Sequence, residues 1–364
     1  TSRTMIETVR RLMLSADRLA EGESHGLPPA AAIKRAIRAA GSNGLILVGE
    51  QEAALRHIAR PQGLGIVIGY AGTGKSALLG VAREAWEDAG YNVRGVALSG
   101  IAAENLEHGS GIASRTIASM EHQWAQGREL LTDRDVLVID EAGMTGTRQM
   151  ERAITEAQKR GAKVVAVGDA EQLQAIEAGA AFRATAERHG SVELTQIRRQ
   201  REDWQRDATR HLATGRTAEA IAAYEERGHI HAADTRDQAR GELIERWNRD
   251  RRASPDSTRI ILTHTNDEVR ALNVAARERL HSGGELGEDA TVRTEGGERV
   301  FAVGDRVMFL RNERGLGVKN GTLGKVESVT PTRMAVMLDD GRAVAFDVKD
   351  YASIDHGYAA TVHK

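Results

Sequence analysis

Gly69-Tyr70-Ala71-Gly72-Thr73-Gly74-Lys75-Ser76 is a complete Gly-x-x-x-x-Gly-Lys-Ser sequence, and its flanks decide how it reads. The apolar run Leu64 to Ile68 before it reads as a buried strand. Lys75 to Ala89 after it reads as a helix, with Ala77, Leu78, Val81 and Ala82 on one face. Strand, glycine-rich turn and helix together form a phosphate-binding loop. Gly69, Gly72, Thr73 and Gly74 turn backbone N–H groups inward, the helix N-terminus adds partial positive charge, and Lys75 adds a full one. Ser76 is placed to ligate Mg²⁺. The ligand this predicts is a nucleoside triphosphate.

Asp135-Val136-Leu137-Val138-Ile139-Asp140-Glu141 supplies the second half of such a pocket. Four apolar residues in a row predict a strand covered on both faces, as in a parallel sheet. It ends in two carboxylates at the edge where ligands of open α/β sheets bind. Asp140 suits the Mg²⁺ shell, and Glu141 suits a group that polarises attacking water. A third strand, Lys163 to Val167, runs into Gly168-Asp169-Ala170-Glu171-Gln172. There an amide at Gln172 either touches the γ-phosphate or is merely exposed on an Asp/Gly turn.

Longer strings carry a resemblance. Asp-Glu-Ala-Gly-Met at 140–144 and Val-Gly-Asp-Ala-Glu-Gln-Leu-Gln at 167–174 resemble motifs II and III of RecD-like superfamily-one helicases. Leu194-Thr195-Gln196-Ile197-Arg198-Arg199-Gln200 resembles motif IV, and Gln51 is similar to the upstream glutamine that reads adenine. Gly111 to Ser119, Arg198 to Arg206, Leu316 to Gly321 and Asp355 to Ala359 resemble the helicase half of Ti-type conjugative transfer relaxases. The similarity runs from about residue 45 to the end. It implies ATP as the nucleotide, single-stranded DNA as the track, 5′→3′ movement, and relaxase and conjugation machinery as partners. It also implies Gln172 as the γ-phosphate sensor and Arg199, directly before Gln200, as the group neutralising transition-state charge.

The chain departs from that pattern at two places. Motif V normally continues Thr-Val-His-Lys with Ser-Gln-Gly, and the sequence stops at Lys364. The resemblance therefore implies that motif VI and its arginine are absent, with little DNA-stimulated turnover and no processive unwinding by this chain alone. The nicking half is not matched either. The one close histidine pair, His229 and His231, has strand spacing and no third histidine, so it reads as exposed strand histidines rather than a metal site.

With 364 residues the chain can hold two or three cores. Having no cysteine, it excludes disulfides and thiolate chemistry. No apolar run approaches a membrane span, which fits a cytoplasmic protein. Fifty basic against 52 acidic residues, a formal charge of −2, argue against bulk electrostatic DNA binding. Arg198, Arg199, Arg201, Arg206 and Arg210 crowd one segment, and Arg246, Arg249, Arg251 and Arg252 another. Interleaved acids make both read as salt-bridged helical faces. Trp124, Trp204, Phe309 and Tyr358 are the stacking candidates for bases, with core packing the stronger reading of each.

Five segments follow along the chain. Residues 1–44 predict a helical segment, and 45–197 a RecA-like doubly wound α/β sheet with the site at its strand ends. Residues 198–285 predict the start of a second RecA-like lobe, with helices capped by Thr217 and Asn266 and a strand over Arg259 to Leu262. Residues 286–349 predict an inserted small β-barrel: Thr291–Thr294, Arg306–Leu310, Gly324–Val329, Met334–Leu338 and Ala343–Val348, with a hairpin turn at Asp340-Gly341. Residues 350–364 return to the second lobe. Two alternatives stay open beside the conjugative motor: a RecD-type repair helicase, and a phosphate-loop ATPase that does not act on nucleic acid. A catalytically dead scaffold is a third.

Overall fold

The computed structural model describes residues 3–25, 30–42, 45–47, 49–70, 72–169, 181–196, 200, 202–255 and 257–362. They fall into two compact units, 1–229 and 230–364.

The first unit opens with three helices, α1 (Arg3–Glu21), α2 (Ala30–Ser42) and α3 (Gly49–Ile58). Strand and helix then alternate through β1 (Leu64–Gly69), α4 (Lys75–Asp88), β2 (Asn92–Ala97), α5 (Gly100–Ser110), β3 (Ser114–Thr116) and α6 (Ile117–Ala125). The alternation continues with β4 (Asp135–Ile139), α7 (Thr147–Arg160), β5 (Lys163–Gly168), α8 (Ala181–His189) and β6 (Val192–Leu194). The strands form one parallel sheet in the order β3-β2-β4-β5-β1-β6. Strand β4 shows why. Leu137 and Ile139 join the core under α1, α7 and α8, while Val136 and Val138 join the core under α3, α4 and α5. A strand buried on both faces needs apolar residues at every position, so the unbroken Val-Leu-Val-Ile run selects this doubly covered sheet. Gly161 in the left-handed region closes α7.

Helices α9 (Asp203–Ala213) and α10 (Thr217–Glu225) complete this unit by packing against each other. The sequence reading assigned them to the second lobe, whereas the compact units divide at His229/Ile230. Thr217 is the first helical residue of α10 rather than its cap; Arg216 holds the cap position. His229 and His231 are exposed, as expected, but lie outside any strand.

The second unit begins with α11 (Arg236–Ala253), β7 (Ile261–Thr263) and α12 (Asn266–Ser282). Thr265, not Asn266, caps α12: its extended backbone lets Oγ1 accept the Glu268 N–H at 3.2 Å. Strands β8 (Ala290–Thr294) and β9 (Gly297–Phe301) pair as a hairpin. A five-stranded antiparallel sheet follows, made of β10 (Arg306–Phe309), β11 (Leu323–Val329), β12 (Arg333–Leu338), β13 (Ala343–Asp347) and β14 (Ile354–His356). Hairpin and sheet share one core, with Val292 and Phe301 packed among Val307, Phe309, Val336 and Phe346. Gly341 takes φ 85° in the predicted β12–β13 turn. The chain then enters β15 (Ala359–Thr361), which pairs in parallel with β7 across the core of α11 and α12. The return to the lobe thus begins near Gly357 rather than at 350, because Ile354–His356 is still bonded to β10.

Candidate nucleotide site

The phosphate loop joins the buried strand β1 to α4. Gly72 and Gly74 adopt φ 83° and 85°, values that L side chains rarely take. At Gly74 a Cβ would also stand 2.6 Å from Gln51 Nε2. Thr73 fixes the turn by donating Oγ1–H to the Tyr70 carbonyl at 2.9 Å. Among the described residues no side chain caps the N-terminus of α4, so its first amides stay directed at the loop. Lys75 Nζ lies across the loop and donates to the Gly69 carbonyl at 2.7 Å. Gln51, 2% exposed, donates Nε2–H to the Thr73 carbonyl at 3.1 Å, which puts α3 against the loop.

The paired carboxylates occupy the same edge of the sheet, at the end of β4. Asp140 is 8% exposed. Burial first, and the Glu141 charge second, push its pKa up to about 6, against a backbone hydrogen bond from Glu141 and the charge of Lys75. A bound cation reverses that balance, because it favours the carboxylate. Glu141 has φ 50°, a left-handed conformation costly for a non-glycine residue. Among the described residues its buried Oε2 has no hydrogen-bond partner. A strained backbone and an unsatisfied carboxylate oxygen next to a phosphate loop mark Glu141 as a candidate functional residue.

The end of β4 rests directly on the end of β5. A Cβ on Gly143 would overlap the Asp169 carbonyl, and one on Gly168 would meet the Gly143 and Ala142 nitrogens at 2.7 and 2.9 Å. These glycines bring the Asp140–Met144 and Gly168–Asp169 segments into backbone contact. Gln172 and Arg199 fall outside the described residues.

The donor set suits Mg²⁺. That ion prefers hard oxygens, takes one or two carboxylates and completes its shell with water and phosphate. Ser76 and Asp140 offer one hydroxyl and one carboxylate. Among the described residues no group of three or more His, Cys, Asp or Glu side chains forms a protein cage.

Comparison with known proteins places the chain in a family. The AAA_30 family model, an AAA domain, matches residues 46–235. That match covers more than half of the chain and contains the loop, both carboxylates and the end of β5. The chain belongs to this AAA domain family. It is 43% identical over its whole length to a conjugal transfer protein TraA from Rhizobium radiobacter, of which it covers 33%. It is 28% identical to the ATP-dependent RecD2 DNA helicase of Deinococcus radiodurans, with 86% of this chain and 43% of that protein aligned. The chain spans about a third of the length of the TraA relatives. Among solved structures, Bacteroides Pif1 helicase with ADP-AlF3 and single-stranded DNA superposes with TM-score 0.56 at 19% identity, covering 87% of this chain and 83% of that one. Two coordinating Pif1 helicases at forked duplex DNA give TM-score 0.56 at 21% identity, covering 87% and 82%. At such identities the likeness concerns the fold. Within this family the loop is a nucleotide-binding site.

Glu50 is one residue that sequence reasoning passed over. Its carboxylate accepts the Thr195 N–H at 2.8 Å, the Thr195 hydroxyl at 2.6 Å and the Gln196 N–H at 3.1 Å. Burial raises its pKa, and those three bonds more than reverse the effect. Glu50 therefore ties the helix bearing Gln51 to the segment that leads to Arg199. A glutamate beside a glutamine is no sequence signal by itself. Gly109 is another. A Cβ there would stand 2.8 Å from Ser76 Cβ, so α5 approaches the proposed metal ligand only because residue 109 has no side chain.

The stacking candidates divide. Phe309 and Tyr358 are core residues, and Trp124 is partly buried against the first core. Trp204 is partly accessible and sits within a cluster, stacked on His229 at 5.5 Å, with Arg227 4.6 Å from its ring centre and Tyr224 edge-on. Within the arginine segments Arg206 pairs with Asp203, Arg210 with Asp207, and Arg251 and Arg252 with Glu285, whereas Arg246 bonds His231. Among the described residues no helix is long and apolar enough to cross a membrane.

Proposed function

We propose that this chain is the ATP-driven motor segment of a conjugative transfer relaxase-helicase, acting on single-stranded DNA in the cytoplasm alongside the relaxase and conjugation machinery. The observation that carries the reading is the joint placement of the phosphate loop and the strained, unsatisfied Glu141, in a chain that aligns over its full length with TraA. Lys75 and the amides of Gly69, Gly72, Thr73 and Gly74 hold the β- and γ-phosphates, and Gln51 reads adenine. Ser76 and Asp140 hold Mg²⁺, which when bound neutralises charge on the phosphate oxygens. Glu141 orients water and takes its proton. Gln172 senses the γ-phosphate, and Arg199 offsets charge that develops in the transition state. Movement is 5′→3′ by resemblance to the RecD-like group. The RecD-type repair reading is second, resting on the Deinococcus RecD2 match over 86% of the chain.

Two measurements test this. Calorimetry should show Mg²⁺-dependent ATP binding that Lys75→Ala weakens strongly; equal affinities in both proteins would sink the pocket assignment. Single-stranded DNA should bind weakly, with little base preference and a steep loss toward physiological salt, since a near-neutral chain neutralises few phosphates. Absence of binding at low salt would favour an ATPase that does not act on nucleic acid.

A further inference from the structure

Helix α12 carries two polar side chains one turn apart, Asn273 and Arg277, which reach the points where the inserted β module begins and ends. Asn273 Oδ1 accepts the backbone N–H groups of Tyr358, at 3.0 Å, and Ala359, at 2.8 Å, where the chain leaves β14 for β15. Arg277 Nε donates to Asp305 Oδ2 at 3.1 Å, and another of its nitrogens bonds Asp289, just before β8. Asp305, 0% exposed between β9 and β10, also accepts the Ala302 N–H at 2.7 Å and the Tyr358 hydroxyl at 2.5 Å. Tyr358, 1% exposed, lies edge-on to Trp247 at 5.8 Å.

One connected network therefore runs from α12 to the entry of the module, an internal turn and its exit, all within the second unit. Apolar packing alone would dock the module with some freedom. A buried carboxylate with its partners in place has few alternative geometries, because each one strands a charge or a donor. Strand β15 needs such an anchor. It has three residues, and among the described residues it pairs with β7 alone.

We propose that Asn273, Arg277, Asp305 and Tyr358 are positioning residues that latch β15 to the inserted module. A displacement of the module is then passed to the Thr361–Val362 end of β15 instead of being absorbed by a hinge at Gly357. This transmission half rests on the proposed function, through the resemblance of residues 361–364 to motif V; the latch itself does not.

Hydrogen exchange read by mass spectrometry on the whole chain tests the latch. Tyr358→Phe removes only the hydroxyl, and Asp305→Asn keeps the size but removes the charge facing Arg277. Each should speed exchange at residues 357–362 roughly five- to tenfold, the size of one lost buried hydrogen bond, while β11 and β12 keep their rates. Unchanged exchange at 357–362 in both variants overturns the latch. Equal loosening of β11 and β12 overturns it too, since the network would then be ordinary fold stabilisation. For transmission, the readout is the change in ATP affinity caused by single-stranded DNA. The variants should shrink that change while ATP affinity without DNA stays the same. Loosened exchange with undiminished coupling overturns transmission. Absence of any DNA effect in the unaltered chain overturns the proposed function and leaves the latch standing.

Discussion

The two edges of the six-stranded sheet both bury charged groups, and they do so in opposite ways. At the N-terminal edge, Lys163 opens β5 and donates Nζ–H to the carbonyls of Arg60, at 2.8 Å, and Gln62. Asp135 opens β4, accepts from the Thr132 N–H and hydroxyl at 2.7 and 2.8 Å, and faces Arg94 at 2.9 Å. His25 beside them is pushed down to about 4, by burial first and by the Lys163 charge second. Burial likewise pushes Lys163 down to about 7. The C-terminal edge instead keeps two adjacent carboxylates, one of them on a strained backbone and short of a hydrogen bond. A perturbed pKa alone would have marked both edges as sites. Buried polar atoms without a hydrogen bond occur at both, Asp135 Oδ1 and the His25 ring nitrogens among them, so what separates the edges is the left-handed backbone of Glu141 and the phosphate loop beside it.

The largest expected difference between the edges is in turnover. Glu141→Gln keeps the size of the side chain and removes its basicity, so ATP binding should persist while hydrolysis falls by about 10²–10⁴. Binding by calorimetry and turnover by phosphate release check this; a variant that turns over ATP at the original rate would remove Glu141 from the chemistry. Next comes the backbone contact. Gly143→Ala places a methyl group on the Asp169 carbonyl and should destabilise the first unit by about 1–3 kcal/mol, as overpacked sites do. Thermal unfolding reads that cost, and an unshifted transition would show that the two strand ends are free to separate.

A smaller effect follows from Asp140, whose pKa is raised to about 6 from 3.8. Between those values the native state holds a proton that the unfolded chain has released, so this group's contribution to stability falls as pH rises through the window. Metal ligation has the opposite sign because it needs the carboxylate. The Mg²⁺-dependent part of ATP affinity should therefore weaken below about pH 6, approaching tenfold per pH unit, and level off above it. Calorimetry from pH 5 to 8, with and without Mg²⁺, measures this; Asp140→Asn should reduce the dependence to that of ATP's own terminal phosphate.

These differences bear on what the sequence made legible. The strand-loop-helix over 64–88, the four-residue apolar strand before Asp140 and the third strand over 163–168 were readable because local pattern and tertiary role coincide there. Strand β9, Gly-Glu-Arg-Val-Phe, was missed because only its last two residues are apolar. Strand β14 was missed because three residues, Ile-Asp-His, show no period. The bonds from Glu50 to Thr195 and from Asp305 to Tyr358 join residues far apart in sequence and leave no local trace. The helical pair after Glu202 was assigned to the second lobe because helices 203–225 carry no sign of which core they join.

The smallest effect on activity is expected at the N-terminal edge, and it is the sharpest check on the comparison. Lys163→Met removes a buried ammonium and leaves two carbonyls without their donor, costs of opposite sign and each of about 1–3 kcal/mol. Net stability near neutral pH should therefore change little. Its pH dependence should change visibly. With Lys163 lowered to about 7 from 10.5, the unfolded chain binds more protons across that interval, so stability rises with pH there. Lys163→Met should flatten that rise in Tm between pH 7 and 10, while the His25 contribution, lost as pH falls from 6.5 toward about 4, should shrink but persist, since burial still lowers His25 after the Lys163 charge is gone. ATP affinity should remain within roughly twofold of the original, since no phosphate-binding group lies at that edge. A Lys163→Met protein that loses ATP binding as Lys75→Ala does would show the two edges to be energetically coupled through the strands, and the division drawn between them would fail.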